Sequence, residues 1–188
     1  MSLIAPTSRG PRRAGARPHW LAMLVVLAAS AAFGASEYEV KAAHLPKFAG
    51  YIQWPAAGSP GSNLIIGVVG RDPSGGKLEQ TLSGVTVGGR QIELRRVSSS
   101  DAAALRACNV LFVSASEESR LEDILHKVEG RPVLTIGESA NFAASGGMLQ
   151  FIIIDGQVRF VANPRAAAQS GLQMNSNLLR VARRVVGG

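Results

Sequence analysis

The alternation of apolar and polar positions is clearest in residues 146–163, where two apolar runs flank the pair Asp155-Gly156. An Asp-Gly pair between such runs favours a type I′ turn, because glycine adopts positive φ freely and aspartate tolerates it. The segment is therefore predicted to form an antiparallel hairpin. Its buried face is predicted to carry the pairs Leu149 with Ala162, Phe151 with Phe160, and Ile153 with Val158. The opposite face is mixed and carries Gln150, Ile152, Ile154, Gln157, Arg159 and Val161.

Two helices are predicted after the hairpin. Asn163 is expected to cap the first, with Pro164 in its first turn, where the missing N–H has no intrahelical partner. The second is predicted over residues 176–186, with apolar positions on one face and arginines on the other. Two interpretations of Arg180, Arg183 and Arg184 stay open: they bind acidic lipid or a partner, or they are simply solvated.

Three near-continuous apolar runs precede the hairpin, and they are typical of strands covered on both faces. They span residues 64–70, 109–115 and 132–136, and a further run at 88–97 alternates like an edge strand. Short helical segments lie between them, so right-handed crossovers would make the three buried strands parallel neighbours. The predicted fold class is α/β: a three-layer-like domain with a mixed sheet, parallel core strands plus a C-terminal antiparallel hairpin, flanked by helices.

Residues 37–54 place apolar side chains at helical spacing. Pro46 removes an internal N–H bond, so the helix either kinks there or begins anew. Trp54-Pro55 is expected to end it. The aromatic residues Phe48, Tyr51 and Trp54 have two open interpretations, a binding surface or core packing.

The composition changes sharply at residue 36. Residues 1–36 contain four arginines, no acidic residue, and an apolar run of about 15 residues followed by small residues. That run is short for a spanning helix and suits a cleaved secretory signal, with an uncleaved anchor as the alternative. We therefore predict a signal peptide at 1–36 and one exported, periplasmic domain at 37–188. Without the leader, the formal charge of +7 falls to 16 basic against 13 acidic residues, and no nucleic-acid partner is predicted.

No catalytic, metal or cofactor site is predicted. The lone cysteine, Cys108, has no disulfide partner and precedes a buried strand, where apolar surroundings raise a thiol pKa. His44 and His126 lie on different predicted helices, without metal-ligand spacing. The glycines and lysine at 70–78 do not match the spacing of a phosphate-binding loop, and Asp72-Pro73 is expected to cap and start a short helix instead. The acidic residues Asp72, Glu79, Asp123, Glu138 and Asp155 are expected at capping, surface or turn positions.

Several short motifs together resemble the YfiR-like family of periplasmic proteins across about 150 residues. The motifs are Val40–Ala43, Phe48-Ala49, Trp54-Pro55, Val69-Gly70, Asp72-Pro73, Val110–Val113 after Cys108, Val133–Thr135, Phe142-Ala143, Gly146–Met148, Arg159-Phe160, Asn163 and Leu172–Leu179. The resemblance implies an α/β regulator, often dimeric, that restrains an inner-membrane diguanylate cyclase by contacting its periplasmic domain. It also implies an OmpA-type outer-membrane lipoprotein that relieves the restraint, which links envelope stress to cyclic di-GMP and biofilm formation.

This sequence differs at two places from some members of the family that it resembles. Those relatives carry paired cysteines, one of which aligns near Gly67, and an acidic residue where this chain has Val161-Ala162. With Cys108 as its single cysteine, this chain has no pair of cysteines for control through an internal disulfide. The second difference weakens the transfer of a partner or ligand site.

Three hypotheses follow for function. The first is a non-enzymatic periplasmic inhibitor that acts through protein contacts, and the second is a small-molecule sensor with its site at strand ends. An enzyme is the third and is not predicted, because no acid, base and nucleophile are brought together by the sequence. The candidate partner- or ligand-binding residues are Tyr51, Trp54, Arg71, Asp72, Arg159, Asn163 and Arg165.

Overall fold

The computed structural model describes residues 37–55, 63–72 and 74–187, and within them eight strands form one mixed sheet and two short strands a second. The strands are β1 (Ile52–Gln53), β2 (Asn63–Val69), β3 (Thr86–Val87), β4 (Arg90–Val97), β5 (Val110–Val113), β6 (Leu134–Gly137), β7 (Leu149–Ile154), β8 (Gln157–Ala162), β9 (Gln173–Met174) and β10 (Arg184–Val185). The helices are α1 (37–50), α2 (Lys77–Leu82), α3 (Ala102–Arg106), α4 (Leu121–Val128), α5 (Pro164–Gln169) and α6 (Ser176–Val181), and a 3₁₀ segment (Ala115–Arg120) precedes α4. The predicted signal peptide lies outside the described residues.

The large sheet has the order β10-β8-β7-β6-β5-β2-β4-β3. Strands β4, β2, β5, β6 and β7 are parallel neighbours. Strand β8 pairs antiparallel with β7 and parallel with β10, and β3 pairs antiparallel with β4. The predicted α/β class is therefore confirmed, as are the three parallel strands. Strand β2 lies between β4 and β5, so the chain first adds strands on one side of β2 and then on the other. In α/β sheets, ligands bind at the carboxyl ends of the strands where the strand order reverses in this way.

Side chains from the two faces of the sheet enter two separate cores. On the front face, β2, β5 and β6 pack against α1, α2, α5 and α6. On the back face, the alternate residues of the same strands pack against α3 and α4. Burial on both sides explains why these strands are nearly all apolar and lack the alternation of a half-exposed strand.

The hairpin forms with the predicted register. Asp155 and Gly156 have φ values of 51° and 71°, as a type I′ turn requires, and all three predicted cross-strand pairs are present. The buried face is shorter than predicted, because Ile153 is 46% exposed whereas Phe151 is 3% exposed. Strand β6 ends at Gly137, which is the partner of Gln150, so the outer part of the hairpin projects beyond the end of β6.

The predicted C-terminal helix is too long. Helix α6 ends at Val181, and the chain then extends to form β10, which pairs in parallel with β8. Backbone hydrogen bonds of 2.9 Å from Arg183 to Phe160 and from Val186 to Ala162 hold this strand. The helical spacing of the final apolar residues was overridden because β8 offers an open edge to the chain end.

Two further local predictions are wrong. The predicted end of helix α1 at Trp54-Pro55 is too late, because the helix spans 37–50 and Ile52-Gln53 pairs with β9. Of the two alternatives at Pro46, the fresh start is excluded, since 37–50 is one helix. Asp72 does not cap α2, which begins at Lys77 after Gly76 and has no side-chain cap. The Asp72 carboxylate instead accepts the Ser74 N–H at 2.8 Å, so the acid closes a local turn.

Candidate binding cleft at the carboxyl edge of the sheet

The loops after β2 and β5 meet at the carboxyl edge of the sheet. Gly70 has a φ of 91°, and a Cβ atom there would lie 2.5 Å from Oγ of Ser116, so glycine is required both by its conformation and by the close approach. The Arg71 N–H donates to the same Ser116 hydroxyl at 2.8 Å. This contact fixes the two loops that flank the reversal in strand order.

The carboxylate of Asp72 forms hydrogen bonds with neighbouring groups at this edge. It accepts from Arg96 at 2.6 Å as well as from Ser74, and Arg96 also bonds Glu79 at 2.5 Å. Burial alone would raise the pKa of Asp72, but the hydrogen bonds from Ser74 and Arg96 outweigh it and the pKa is lowered. The acid is therefore an ionised link between the loop after β2 and strand β4, rather than a general base.

A buried ion pair joins α1 to the loop after β6. Nζ of Lys41 lies 2.7 Å from Oε2 of Glu138 and 2.6 Å from Oε1 of Glu37. The side chains of Lys41 and Glu138 are 7% and 5% exposed. The second Glu138 oxygen accepts the Ala115 N–H at 3.1 Å, and the ammonium lies 4.4 Å from the centre of the Tyr38 ring. One cluster thus connects α1, β6 and the loop after β5.

The cluster holds Lys41 in its charged form. Burial alone would lower the pKa of Lys41, but hydrogen bonds to Glu138 and Glu37 reverse the effect and raise it. The pKa of Tyr38 is also raised, first by burial and then by the negative charge of Glu138. An ammonium with two carboxylate partners is a poor nucleophile, so this lysine orders the cleft and is not set up for covalent chemistry.

An open cleft of about 530 Å³ lies beside this cluster. Its walls include Lys41 and Glu138 on one side, Arg184 on the other, and Ile152 and Ile153 of β7 between them. Gln150 supports the wall, because its amide group bonds backbone atoms of Ala140 and Ala143 at 2.8 and 3.1 Å. The cleft therefore offers charged groups of both signs beside an apolar strand, which suits a partner with polar and apolar groups in alternation.

The predicted site residues do not converge on this cleft. Arg71 and Asp72 lie at the carboxyl edge, but Tyr51 and Trp54 follow the far end of α1. Trp54 is half-buried against the front core, and the exposed Tyr51 uses its carbonyl to accept the Asn175 N–H at 2.9 Å. The aromatic stripe is thus mixed: Phe48 and Trp54 pack in the core and Tyr51 reaches solvent.

The other three predicted residues lie on or beyond β8. Asn163 is a buried helix cap, as predicted, since its side chain accepts the Ala166 N–H at 3.1 Å and donates to the Ala143 carbonyl at 3.0 Å. Arg165 is exposed in the first turn of α5. Arg159 is exposed on the projecting part of the hairpin, opposite Ile152.

Sequence reasoning missed Lys41 and misplaced Glu138. Glu138 was expected at a capping, surface or turn position, and instead it is buried in an ion pair. The available signal was Lys41 itself, which stands on the apolar side of α1 between Tyr38 and Leu45. A lysine on a buried helical stripe requires an acid nearby, but periodicity does not say which one.

No group of three or more His, Cys, Asp or Glu side chains in 37–55, 63–72 and 74–187 has the arrangement of a metal site. Among the helices in those ranges, none combines the length and apolar character needed to cross a membrane. The prediction for Cys108 is confirmed: the side chain is buried, and burial raises its pKa to about 11.

Two solved structures are similar to this chain in fold. A conserved domain protein from Vibrio cholerae O1 biovar El Tor is 15% identical, with a TM-score of 0.50, over 65% of this chain and 54% of its own. A structure described as the ABC domain in complex with L-Trp from Streptococcus pneumonia is 13% identical, with a TM-score of 0.57, over 77% of this chain and 60% of its own. The matched region is little more than half of each of those chains, and at such identities the likeness concerns the fold alone.

The family comparison is more specific. A sequence model of the family described as YfiR/HmsC-like matches residues 38–183. The match contains Lys41 and Glu138, the loops at the carboxyl edge and the hairpin. It also runs through the motifs that carried the resemblance in the sequence. The chain therefore belongs to the YfiR/HmsC-like family, whose members are periplasmic regulatory proteins.

Proposed function

We propose that this protein restrains an inner-membrane diguanylate cyclase by binding the periplasmic domain of that enzyme, and so links envelope signals to cyclic di-GMP and biofilm formation. The observation that carries the proposal is the family match over residues 38–183. A regulator of this kind works through contact surfaces and carries out no reaction of its own. The ion-paired states of Lys41 and Asp72 agree with that role, because neither group is available as a nucleophile or base.

The described surface supports a role in binding. Ile153, Val181 and Val185 are large apolar side chains that are 46%, 67% and 46% exposed. Exposed arginines lie close to them, and no acidic group of the described residues comes within 4.0 Å of Arg183 or Arg184. Apolar groups beside uncompensated cations favour a partner with an acidic and apolar surface.

Deletion of the gene tests the proposal directly. Loss of a restraint should raise cellular cyclic di-GMP and surface attachment, and re-expression of the exported protein should lower both. A strain that also lacks the cyclase should show no response to the deletion, which separates this pathway from general envelope damage. Unchanged cyclic di-GMP after deletion would contradict the proposal.

Two further partners belong to the same proposal. An OmpA-type outer-membrane lipoprotein would relieve the restraint by competing for the regulator, and the regulator itself would act as a homodimer. Sedimentation of the purified protein over a range of concentrations tests the dimer, with a constant monomer mass as the contrary result. Addition of the lipoprotein's soluble domain to a preformed complex should release the cyclase domain.

A small-molecule sensor is the second candidate function, favoured by the cleft of about 530 Å³ at the carboxyl edge. That volume lies within the usual range for ligand sites, and the edge is the usual place for them in this fold class. The protein of similar fold from Streptococcus pneumonia is described in complex with L-Trp, so L-Trp is the first amino acid to test. Calorimetry with amino acids, vitamins and nucleotides tests this function, and the absence of any binding heat would count against it.

A further inference from the structure

One edge of the projecting hairpin has no strand beside it among the described residues. Strand β6 pairs with β7 only at Leu149 and Gln150, through Ile136 and Gly137. The rest of β7, residues 151–154, pairs only with β8 on its other edge. The chain leaves the sheet after Gly137, so no strand from the described residues occupies the position that a longer β6 would take.

The backbone of Ile153 faces this open edge. In a hairpin with a two-residue turn, the residues flanking the turn exchange both backbone hydrogen bonds, and every second pair along the ladder does the same. Ile154 and Ile152 therefore direct their N–H and C=O groups towards β8. Ile153 directs both of its groups the opposite way, towards the missing strand, and its side chain is 46% exposed.

The position beside β7 that a longer β6 would take coincides with the cleft. Ile152 and Ile153 line the cleft on one side, and Ala115 and Ala140, whose small side chains leave room for a backbone, line it on another. Lys41 in its wall is compensated by Glu37 and Glu138. An extended backbone therefore fits beside β7, with hydrogen-bonding groups ready to receive it.

The cleft lining carries two carboxylates, Glu37 and Glu138, and two cations, Lys41 and Arg184, so an acidic group is favoured only at the end of the cleft formed by Arg184. Arg184 lines the cleft and has no acidic partner within 4.0 Å in the described part of the chain. Through the register of β10, β8 and β7, Arg184 lies on the same face of the sheet as Ile152 and Arg159. Ile153 lies on the other face. Successive side chains of a strand added here would point alternately to the basic face and to the apolar face of the sheet.

We propose that an extended segment of the regulated partner, with alternating acidic and apolar side chains, adds to the sheet as a strand along residues 151–154. Its backbone bonds Ile153, an acidic side chain pairs with Arg184, and an apolar side chain covers the exposed Ile153. Main-chain bonds supply affinity in such a complex, and the alternating side chains supply specificity. This inference rests on the proposed function, because it assigns the contact to the periplasmic domain of the cyclase.

Hydrogen exchange with the full mature protein and the purified periplasmic domain of that cyclase tests the inference. The Ile153 amide should exchange at least tenfold more slowly in the complex than in the free protein. Ile153→Pro removes the outward N–H without touching the ladder to β8, and it should weaken binding by roughly tenfold or more. Ile153→Thr, which keeps that N–H and a β-branched side chain, should bind more tightly than the proline variant.

Charge reversal gives an independent measurement that does not depend on how the proline variant folds. Arg184→Glu should weaken the complex by roughly tenfold, whereas Arg180→Glu, an exposed arginine outside the cleft lining, should change it little. A complex in which the Ile153 amide gains no protection would overturn strand addition and leave the proposed function standing. Weakening by Arg184→Glu with full binding by a folded Ile153→Pro would also overturn it, in favour of side-chain contact. No complex at all would overturn both proposals.

Discussion

Nζ of Lys41 and Oε2 of Glu138 are 2.7 Å apart, in an ion pair whose two side chains are both more than nine-tenths buried. Removal of one partner leaves the other charge buried, so Lys41→Met is expected to lower the free energy of unfolding by about 3–5 kcal/mol. The double variant Lys41→Met with Glu138→Gln should lose less than the sum of the single losses. Urea denaturation measures both.

Exposed Lys77 supplies the matched control for this prediction, because its ion pair with Glu39 lies in solvent, with side chains 42% and 46% exposed. Lys77→Met should change the free energy of unfolding by less than about 1 kcal/mol. Equal losses for the two lysine variants would show that burial does not set the strength of the Lys41 pair.

Asp72 is expected to make stability fall in acid. Its pKa is lowered from the ordinary value of 3.8, because hydrogen bonds from Ser74 and Arg96 outweigh the effect of burial. The stabilisation is therefore present above pH 3.8 and is lost as the pH falls through the lower, folded-state pKa. In the Asp72→Asn variant, the melting temperature should depend less on pH over this acid range. Arg96→Gln should reduce this dependence in part, and a wild-type slope in both variants would contradict the assignment.

The thiol of Cys108 is expected to resist alkylation in the native protein. Burial raises its pKa from 9.0 to about 11, so the reactive thiolate is scarce at pH 8. Iodoacetamide should modify the urea-unfolded protein rapidly and the native protein only at the rate of unfolding. Because the folded-state pKa is the higher one, the contribution of Cys108 to stability should decline as the pH rises from 9 to 11. Rapid native alkylation would place the thiol at the surface.

Gly67 is expected to tolerate no side chain while Cys108 is present. A Cβ atom at Gly67 would lie 2.5 Å from the Cys108 sulfur and 3.1 Å from Leu111. Gly67→Ala should therefore destabilise the protein by about 1–3 kcal/mol, as overpacked cores do. The same change in a Cys108→Ala background should cost less, because the nearest atom is gone. Equal costs in the two backgrounds would show that the sulfur is not the obstacle.

Phe142 is expected to anchor the loop between β6 and β7. Its side chain is fully buried, and a Cβ atom at either Gly137 or Gly147 would lie 2.2 Å from the ring. Phe142→Ala should cost about 3–5 kcal/mol through the cavity it leaves, and Phe142→Leu should cost less. Gly147→Ala should also destabilise, since its Cβ atom would lie 2.7 Å from the Phe142 carbonyl oxygen as well as against the ring. Thermal unfolding of the three variants tests this arrangement, and a Gly147→Ala protein with wild-type stability would contradict it.

Strand addition at Ile153 would also explain why the hairpin ends in a run of three isoleucines. A projecting arm that served only to close the turn would favour polar residues on its exposed sides. The hairpin instead has apolar side chains here: Ile152 and Ile153 line the cleft, and all three isoleucines, including Ile154, lie beyond the end of β6. The proposed contact would bury these groups and remove the open edge in one step.

The sequence by itself determined the features that depend on neighbouring residues. Asp155-Gly156 specified both the turn and its register, because the turn type and side-chain alternation depend on a few consecutive residues. Asn163 with Pro164 specified a helix start for the same reason. The apolar runs specified parallel, buried strands, and the motif set specified the family.

Tertiary structure decided what the chain ends and the isolated charged residues do. The last residues have helical spacing, yet Arg184-Val185 forms a strand because the open edge of β8 supplies hydrogen bonds that no local pattern records. Glu138 stands 97 residues from Lys41, so only the packing of α1 over β6 identifies the pair. The open edge at Ile153 likewise arises because β6 ends at Gly137, and the length of one strand relative to its neighbour is a property of the folded sheet.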